Sequence, residues 1–250
     1  GTPATLGRLT TARLRRLHTA AMAADNLVIA IVGGFDPAGV LRRLAGLASR
    51  LPPHAEPLEV PSPSPAATRA RIRRAGTKQA AVLLGVRGVS VDHRDRTALA
   101  VACHLLDSQA GRLFLSLREA AGLAYSVWAQ SEASLGGGTF SVGLSTDPQR
   151  VGEAARALRR ELKVLVEDGP GAEELARTTR MIAGLVAMRH ERVLSQAIDL
   201  ASAVRRGQPH GLQPLRRRLA ALTPGDVQAA LARLELSSAL RVTVLPRPEA

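Results

Sequence analysis

The chain is poor in cysteine, lysine and aromatic residues. Among its 250 residues there is one cysteine, Cys103. An intramolecular disulfide and a cysteine-pair zinc site are therefore both excluded. Cys103 falls at an apolar position of a predicted helix, where a buried, inert thiol is the expected state. The six histidines (His18, His54, His93, His104, His190 and His210) include no pair four residues apart on a helix. No apolar run approaches the ~18 residues of a membrane-spanning helix. No basic segment followed by an apolar stretch opens the chain, so no signal peptide is read and a soluble protein is expected. With 46 % apolar residues, the composition also excludes disordered, collagen-like and disulfide-framework classes.

Charge is abundant but of one type. Lys+Arg minus Asp+Glu is 34 − 21, a net charge of +13. The only lysines are Lys78 and Lys163; every other basic side chain is arginine. With so much Ala, Leu, Gly and Pro, this pattern fits GC-rich coding. The arginines are spread along helices. The densest clusters, Arg69–Arg74 and Arg216–Arg218, have no aromatic neighbours to stack on bases. Nucleic acid is thus not an expected partner, and solvated faces or an acidic partner segment account better for the charge.

The length suits one large domain or up to two small ones. Thr10 precedes an amphipathic helix over 11–24, and Leu27–Val32 reads as a buried strand closed by Gly33-Gly34. Asp36-Pro37 caps a helix to about Arg50. Six prolines between Leu51 and Ala67 mark a stiff linker. Arg69–Arg74 and Gln79–Val86 read as strands. Asp92 begins a helix through Leu106, and Gly111–Ala121 forms a second, closed by Gly122. Leu123–Ala133 and Gly138–Thr146 alternate as a hairpin. Helices follow over 147–168, 172–206, 212–221 and 224–234, with a closing strand over 240–245. A helix-then-strand unit beginning at Thr10 recurs at Thr223, 213 residues on by subtraction, which points to two similar structural units.

Several local patterns carry no chemistry. Gly136-Gly137-Gly138 lacks the lysine and following helix of a phosphate loop. Asp92-His93-Arg94-Asp95 reads as a helix start, and His190-Glu191 as a solvated helix face.

The segment Gly111-Arg112-Leu113-Phe114-Leu115-Ser116-Leu117-Arg118-Glu119-Ala120-Ala121-Gly122-Leu123-Ala124-Tyr125-Ser126-Val127 is more specific. It resembles the arginine/tyrosine motif of the M16 metallopeptidases (pitrilysin, insulinase, mitochondrial processing peptidase), with arginine and tyrosine seven apart. Leu9–Pro37, Gly85–Leu106, Gly138-Thr139-Phe140, Thr146-Asp147-Pro148 and Leu222–Val227 extend the resemblance over nearly the whole chain. It implies an α+β fold of the M16 half-domain type: a mostly antiparallel sheet backed by long helices, preceded by the tail of another half-domain. Residues 1–50 would be that tail, 51–68 the proline-rich linker, and 69–250 the C-terminal half-domain.

The resemblance also implies a function. The family's zinc motif, an inverted H-x-x-E-H, does not occur here, so this chain is expected to bind no metal. Zinc would sit in a complementary half-domain, fused upstream or in a separate partner chain. The expected role is the non-zinc portion of a zinc endopeptidase acting on unfolded or short peptides. In that family zinc-bound water attacks a peptide carbonyl, whose oxygen gains negative charge. Tyr125 would donate a hydrogen bond to that oxygen, and Arg118 would clamp substrate carbonyls with its fork of donors. An extended peptide could also pair with a sheet edge. Gln109-Ala110-Gly111 stand where the family usually has serines. From the residues alone, Arg118 can instead pair with Glu119 or Glu132, and Tyr125 can be a half-buried strand residue. Strand alternation places Tyr125 with Val127 and Ala129, and Trp128 on the opposite face as packing. The alternative role is an inactive structural or substrate-presenting subunit. The compartment is left open between a bacterial cytoplasm and periplasm.

Overall fold

The computed structural model describes residues 2–55, 69–74, 76–208 and 211–247. Most of the proline-rich stretch, 56–68, therefore lies outside the described residues. Five strands form one sheet: β1 (Arg69–Arg74), β2 (Ala80–Gly88), β3 (Ser126–Ser134), β4 (Gly137–Thr146) and β5 (Leu240–Pro246). Their order is β1-β5-β2-β4-β3. β1 runs parallel to β5; the other pairings are antiparallel. The mostly antiparallel sheet expected from the sequence is thus present.

Alternation along the strands decides which face is covered. β2 buries Ala80, Val82 and Leu84, and β4 buries Phe140, Val142 and Leu144, all on one face. Against that face pack α4 (Arg96–Asp107), beside β3, and α5 (Val151–Asp168), beside β2 and β4. α9 (Pro224–Ala232) packs on both helices. Its start is fixed by a capping box, in which Thr223 Oγ1 accepts from the Asp226 amide and the Asp226 carboxylate accepts from the Thr223 amide. Leu99, Leu105, Leu106, Leu113, Leu158, Leu165 and Leu231 are fully buried between these layers. Each contributes about 1.5–3 kcal/mol relative to an exposed position. Leucine and alanine thus fill the core in place of aromatics, with Phe140 the one fully buried ring. Cys103 lies in this core, 7 % exposed, and burial pushes its thiol up to about 12.

Two ion pairs tie the helices together. Arg233, after α9, donates to the buried Asp95 carboxylate at 2.9 Å, just ahead of α4. Arg112 grips Glu174 with two bonds, Nε to Oε1 at 2.9 Å and Nη2 to Oε2 at 2.8 Å. The same Nη2 donates to the Gly169 carbonyl at 3.0 Å, and Glu174 also accepts from the Gly171 amide. One bidentate pair therefore anchors the start of the arginine/tyrosine segment to the break between α5 and α6 (Ala172–Arg189). The bond from Arg112 holds the Glu174 carboxyl below its usual 4.5, and the bond from Glu174 raises the Arg112 guanidinium.

Several elements differ from the sequence expectation. α4 starts at Arg96, because residues 90–96 form successive turns, with the His93 amide bonded to the Ser90 carbonyl and the Arg96 amide to the His93 carbonyl. α5 starts at Val151, after a turn in which the Arg150 amide bonds the Asp147 carbonyl. The single long helix expected over 172–206 is two, α6 and α7 (Val193–Arg205). At the break, Arg192 is extended (φ −88°, ψ 120°) and Gln196 Nε2 donates to the His190 carbonyl that the ladder releases. Asp199 accepts from both Arg189 and His190 there, so His190 is not on a purely solvated face. Leu27–Val32 is not a buried strand. Leu27 has extended dihedrals, yet the stretch joins no sheet among the described residues, and Leu27, Val28, Ile29 and Ile31 are exposed. An apolar run gives β tendency, but a strand needs a neighbour to bond.

The chain divides into two compact units. One comprises Gly1–Val60 with Arg189–Gly211 and includes α2 (Thr11–Ala21), α3 (Pro37–Ala48) and α7. Within it α2 and α3 bury no residue, and Leu14, Leu17, Leu41 and Leu47 are exposed. Asp36 caps α3 as the sequence indicates, accepting from the Ala38 and Gly39 amides. The other unit, Pro61–Met188 with Leu212–Ala250, holds the sheet and the core.

Two outcomes are expected. The Cys103 thiol stays unlabelled by a thiol reagent in the native protein and reacts only on denaturation; fast native labelling would contradict its burial. Glu174→Gln lowers stability at pH 7 by about 1.5–3 kcal/mol, read from urea midpoints. Because the folded Glu174 titrates below 4.5, its contribution is complete above that pH and fades as pH falls further. The difference between native and Glu174→Gln should therefore shrink in acid.

Candidate functional site

Arg118 and Tyr125 flank a tight corner that leads from a helical turn into β3. The segment after Gly111 enters as helix and then widens into a π-helix over Phe114–Ala120. Ser116 Oγ donates back to the Arg112 carbonyl at 2.6 Å, and the Ala121 amide reaches the Ser116 carbonyl five residues behind. Such a bulge is rare and re-aims the side chains on it. Two amides, Leu123 at 2.7 Å and Ala124 at 3.1 Å, then converge on the carbonyl of Leu117. Gly122 makes the reversal at φ +53°, the left-handed region where a side chain is strained, as its position after the helix indicates.

The far side of the corner is pinned by polar side chains. Thr146, fully buried at the end of β4, donates from Oγ1 to the Leu123 carbonyl at 2.7 Å. Arg150 Nη1 donates to the Gly122 carbonyl at 2.9 Å. The Tyr125 amide donates to the Ser145 carbonyl at 2.9 Å, and the Ser126 and Ser145 hydroxyls pair at 2.7 Å. The backbone carrying both residues is therefore closely held, while their ends are not. Tyr125 is 54 % exposed and precedes β3, so it does not follow Val127 and Ala129 toward the core. Its phenol makes no side-chain hydrogen bond among the described residues. The Arg118 side chain is about half exposed, its guanidinium carbon 4.9 Å from the centre of the Phe114 ring. Arg118 Nε stands 3.9 Å from Glu119, too far for a hydrogen bond, and Glu132 instead accepts from Gln130.

Trp128 lies on the face opposite Val127 and Ala129, above Gly143 of β4, as alternation requires. The outer side of β3, which ends the sheet, is partly closed. Asp107 accepts from the Ala129 amide at 3.0 Å, and the Val91 amide donates to the Ser134 carbonyl at 3.0 Å. Burial raises the Asp107 carboxyl even so. No group of three or more His, Cys, Asp or Glu side chains that could hold a metal occurs among the described residues. No helix in the described residues is long and apolar enough to cross a membrane.

Sequence reasoning located Arg118 and Tyr125 but not what holds them. The π-helix, the Ser116 back-bond and Arg150 leave no periodic trace. Thr146 leaves one: it occupies a core-facing register position in β4, where a polar residue implies a buried partner. We expect Thr146→Val, which leaves the Leu123 carbonyl unpaired, to lower stability by about 1–3 kcal/mol. Thr146→Ser should recover most of the loss in the same thermal denaturation measurement.

Comparison with known proteins agrees with this architecture. The family model described as "Peptidase M16 inactive domain" matches residues 8–182. The chain is 29 % identical over 240 residues to an uncharacterized zinc protease of Streptomyces coelicolor, covering 92 % of this chain and 52 % of that protein. A second uncharacterized zinc protease, from Bacillus subtilis, is 29 % identical over 113 residues, 45 % of this chain and 28 % of that one. The chain thus spans about half, or less, of the length of these relatives. Among solved structures, the peptidase M16 inactive domain of Pseudomonas fluorescens superposes with a TM-score of 0.87 at 23 % identity, over 99 % of this chain and 60 % of that one. A protease of Helicobacter pylori superposes at 0.84 with 17 % identity, over 98 % and 62 % respectively. With a family model covering well over half of it and the fold in agreement, the chain belongs to the peptidase M16 inactive-domain family.

Proposed function

We propose that this chain is the non-zinc, substrate-clamping half of an M16-type zinc endopeptidase that acts on unfolded or short peptides. The observation that carries the proposal is the corner: a rigid backbone presenting two exposed polar ends, one phenol and one guanidinium. Tyr125 donates from its phenol to the oxygen of the scissile carbonyl, where negative charge develops. Its proton need not leave. Arg118, steadied over Phe114, donates to neighbouring peptide carbonyls and stays charged at any working pH. The water-activating metal, zinc, belongs to the complementary half-domain, fused or in a separate chain.

The proposal extends to the organisation of the chain. Residues 1–50 are the end of a preceding half-domain, 51–68 the linker, and 69–250 the C-terminal half-domain. The recurring helix-then-strand unit supports this. After Thr223, the unit's strand is β5, bonded on both sides by β1 and β2. After Thr10, the corresponding stretch 27–32 has no strand beside it among the described residues, and Leu27, Val28, Ile29 and Ile31 are exposed. Such a stretch is what remains when a sheet's other strands lie in sequence outside the chain.

The test is cleavage of a quenched fluorescent peptide by the complete protein, zinc half included, with and without a chelator. Turnover should be chelator-sensitive. Tyr125→Phe should lower kcat by about 10²- to 10³-fold with zinc content and thermal stability unchanged. Arg118→Ala should cost chiefly in kcat/KM. Turnover indifferent to both substitutions would refute the clamp. Absence of any turnover would favour a structural or substrate-presenting subunit.

A further inference from the structure

The face of the sheet turned away from α4 and α5 carries the chain's only tryptophan. Trp128 stands directly opposite Gly143 in the β3–β4 register. A Cβ added at Gly143 would meet the indole Cε2 and Cζ2 at 2.4 Å and Nε1 at 2.7 Å. Gly143 is not among the glycines with positive φ, so its backbone does not call for glycine. The space does: the missing side chain is where the indole lies. A ring laid across backbone in this way is held on one side, and Trp128 remains half-buried and not enclosed. Ordinary core packing does not account for it, because the core is on the opposite face with Val127 and Ala129.

Three further observations specify the visitor. First, Trp128 follows Tyr125 by three residues, the two between them lying in β3, so their backbones lie within roughly 10 Å of each other. A peptide lying alongside would present a side chain to the indole about three residues from the bond at Tyr125. Second, the Asp107 carboxylate and the Val91 amide already occupy bonding positions along the free edge of β3. Addition of the peptide as a further strand there would have to displace them, so recognition falls to side chains on the face. Third, the charge is one-sided. Glu132 is engaged by Gln130 at 2.6 Å, whereas Arg118 stands at the Tyr125 end with only a loose ion pair, its Nε 3.9 Å from Glu119.

We infer that Trp128, seated on Gly143, is a specificity subsite that takes an apolar or aromatic side chain of an extended peptide, about three residues from the bond cleaved, and that residues of the peptide nearest Arg118 are neutral or acidic. The inference rests on the peptidase proposal above. Trp128 is a binding residue here and does not act on the reacting atoms.

The test uses the complete protein and paired quenched peptides that differ only in Phe or Ser three residues to either side of the cleaved bond. In the native protein one Phe peptide should be preferred about tenfold in kcat/KM. Trp128→Ala should bring that preference to within about twofold, chiefly by lowering kcat/KM for the Phe peptide, and Trp128→Phe should keep most of the preference. Gly143→Ala, which displaces the indole, should lose the preference as Trp128→Ala does, with thermal denaturation confirming the fold. Binding is read independently, from the tryptophan emission that Trp128→Phe removes: the Phe peptide should change it and the Ser peptide should not. A preference that survives Trp128→Ala, or an emission unmoved by saturating Phe peptide, would overturn the subsite. If no peptide is cleaved but the Phe peptide still moves the emission, the subsite stands and the peptidase proposal fails.

Discussion

The carbonyl of Leu117 is the constraint on which the candidate site depends. It receives two amides, those of Leu123 and Ala124, across a reversal made by Gly122. That convergence ends the π-helix and delivers the chain to β3 within a few residues. Arg118 lies just before the junction and Tyr125 just after it. Their sequence separation of seven thus becomes a spatial relation imposed by backbone hydrogen bonds, and neither side chain is needed to maintain it. Thr146, Arg150 and Ser145 hold the corner from β4 and beyond, and the Arg112–Glu174 pair holds the entering segment from α6. The polar bonds go to backbone, which leaves the Arg118 and Tyr125 ends exposed.

The two compact units differ in how much they bury. In the sheet unit, leucines and alanines from both strands and helices close a core, and the buried Asp95 has its arginine. In the unit that contains the first fifty residues, α2 and α3 bury no residue fully, and the apolar run after Asn26 has no sheet to join among the described residues. Amphipathic helices with exposed leucines are stable in water only when something covers them. This contrast fits a chain that spans about half the length of the relatives it matches.

Much of the fold was legible in the sequence because it follows from period and punctuation. Alternating residues in β2 and β4, Gly122 at a helix end, and Asp36 and Thr223 as caps each have a local cause. What was not legible depends on partners distant in sequence. Leu27–Val32 has every local mark of a strand but lacks a neighbour. The break at His190 arises where side chains satisfy a released carbonyl, and no breaker residue marks it. The widening over Phe114–Ala120 comes from a serine bonding back to the preceding turn, which sequence reads only as helix. At the site itself, the motif identified Arg118 and Tyr125, while exposure, the loose contact with Glu119 and the closed edge of β3 came from the structure alone.

In the proposed function the corner aims Tyr125 and Arg118 at a peptide backbone. The most direct measurement is a crystal structure of the complete protein holding an uncleaved peptide. The Tyr125 phenol oxygen should lie within about 3 Å of the scissile carbonyl oxygen, with the Arg118 guanidinium on a neighbouring carbonyl. A peptide bound with both side chains still facing solvent would contradict it.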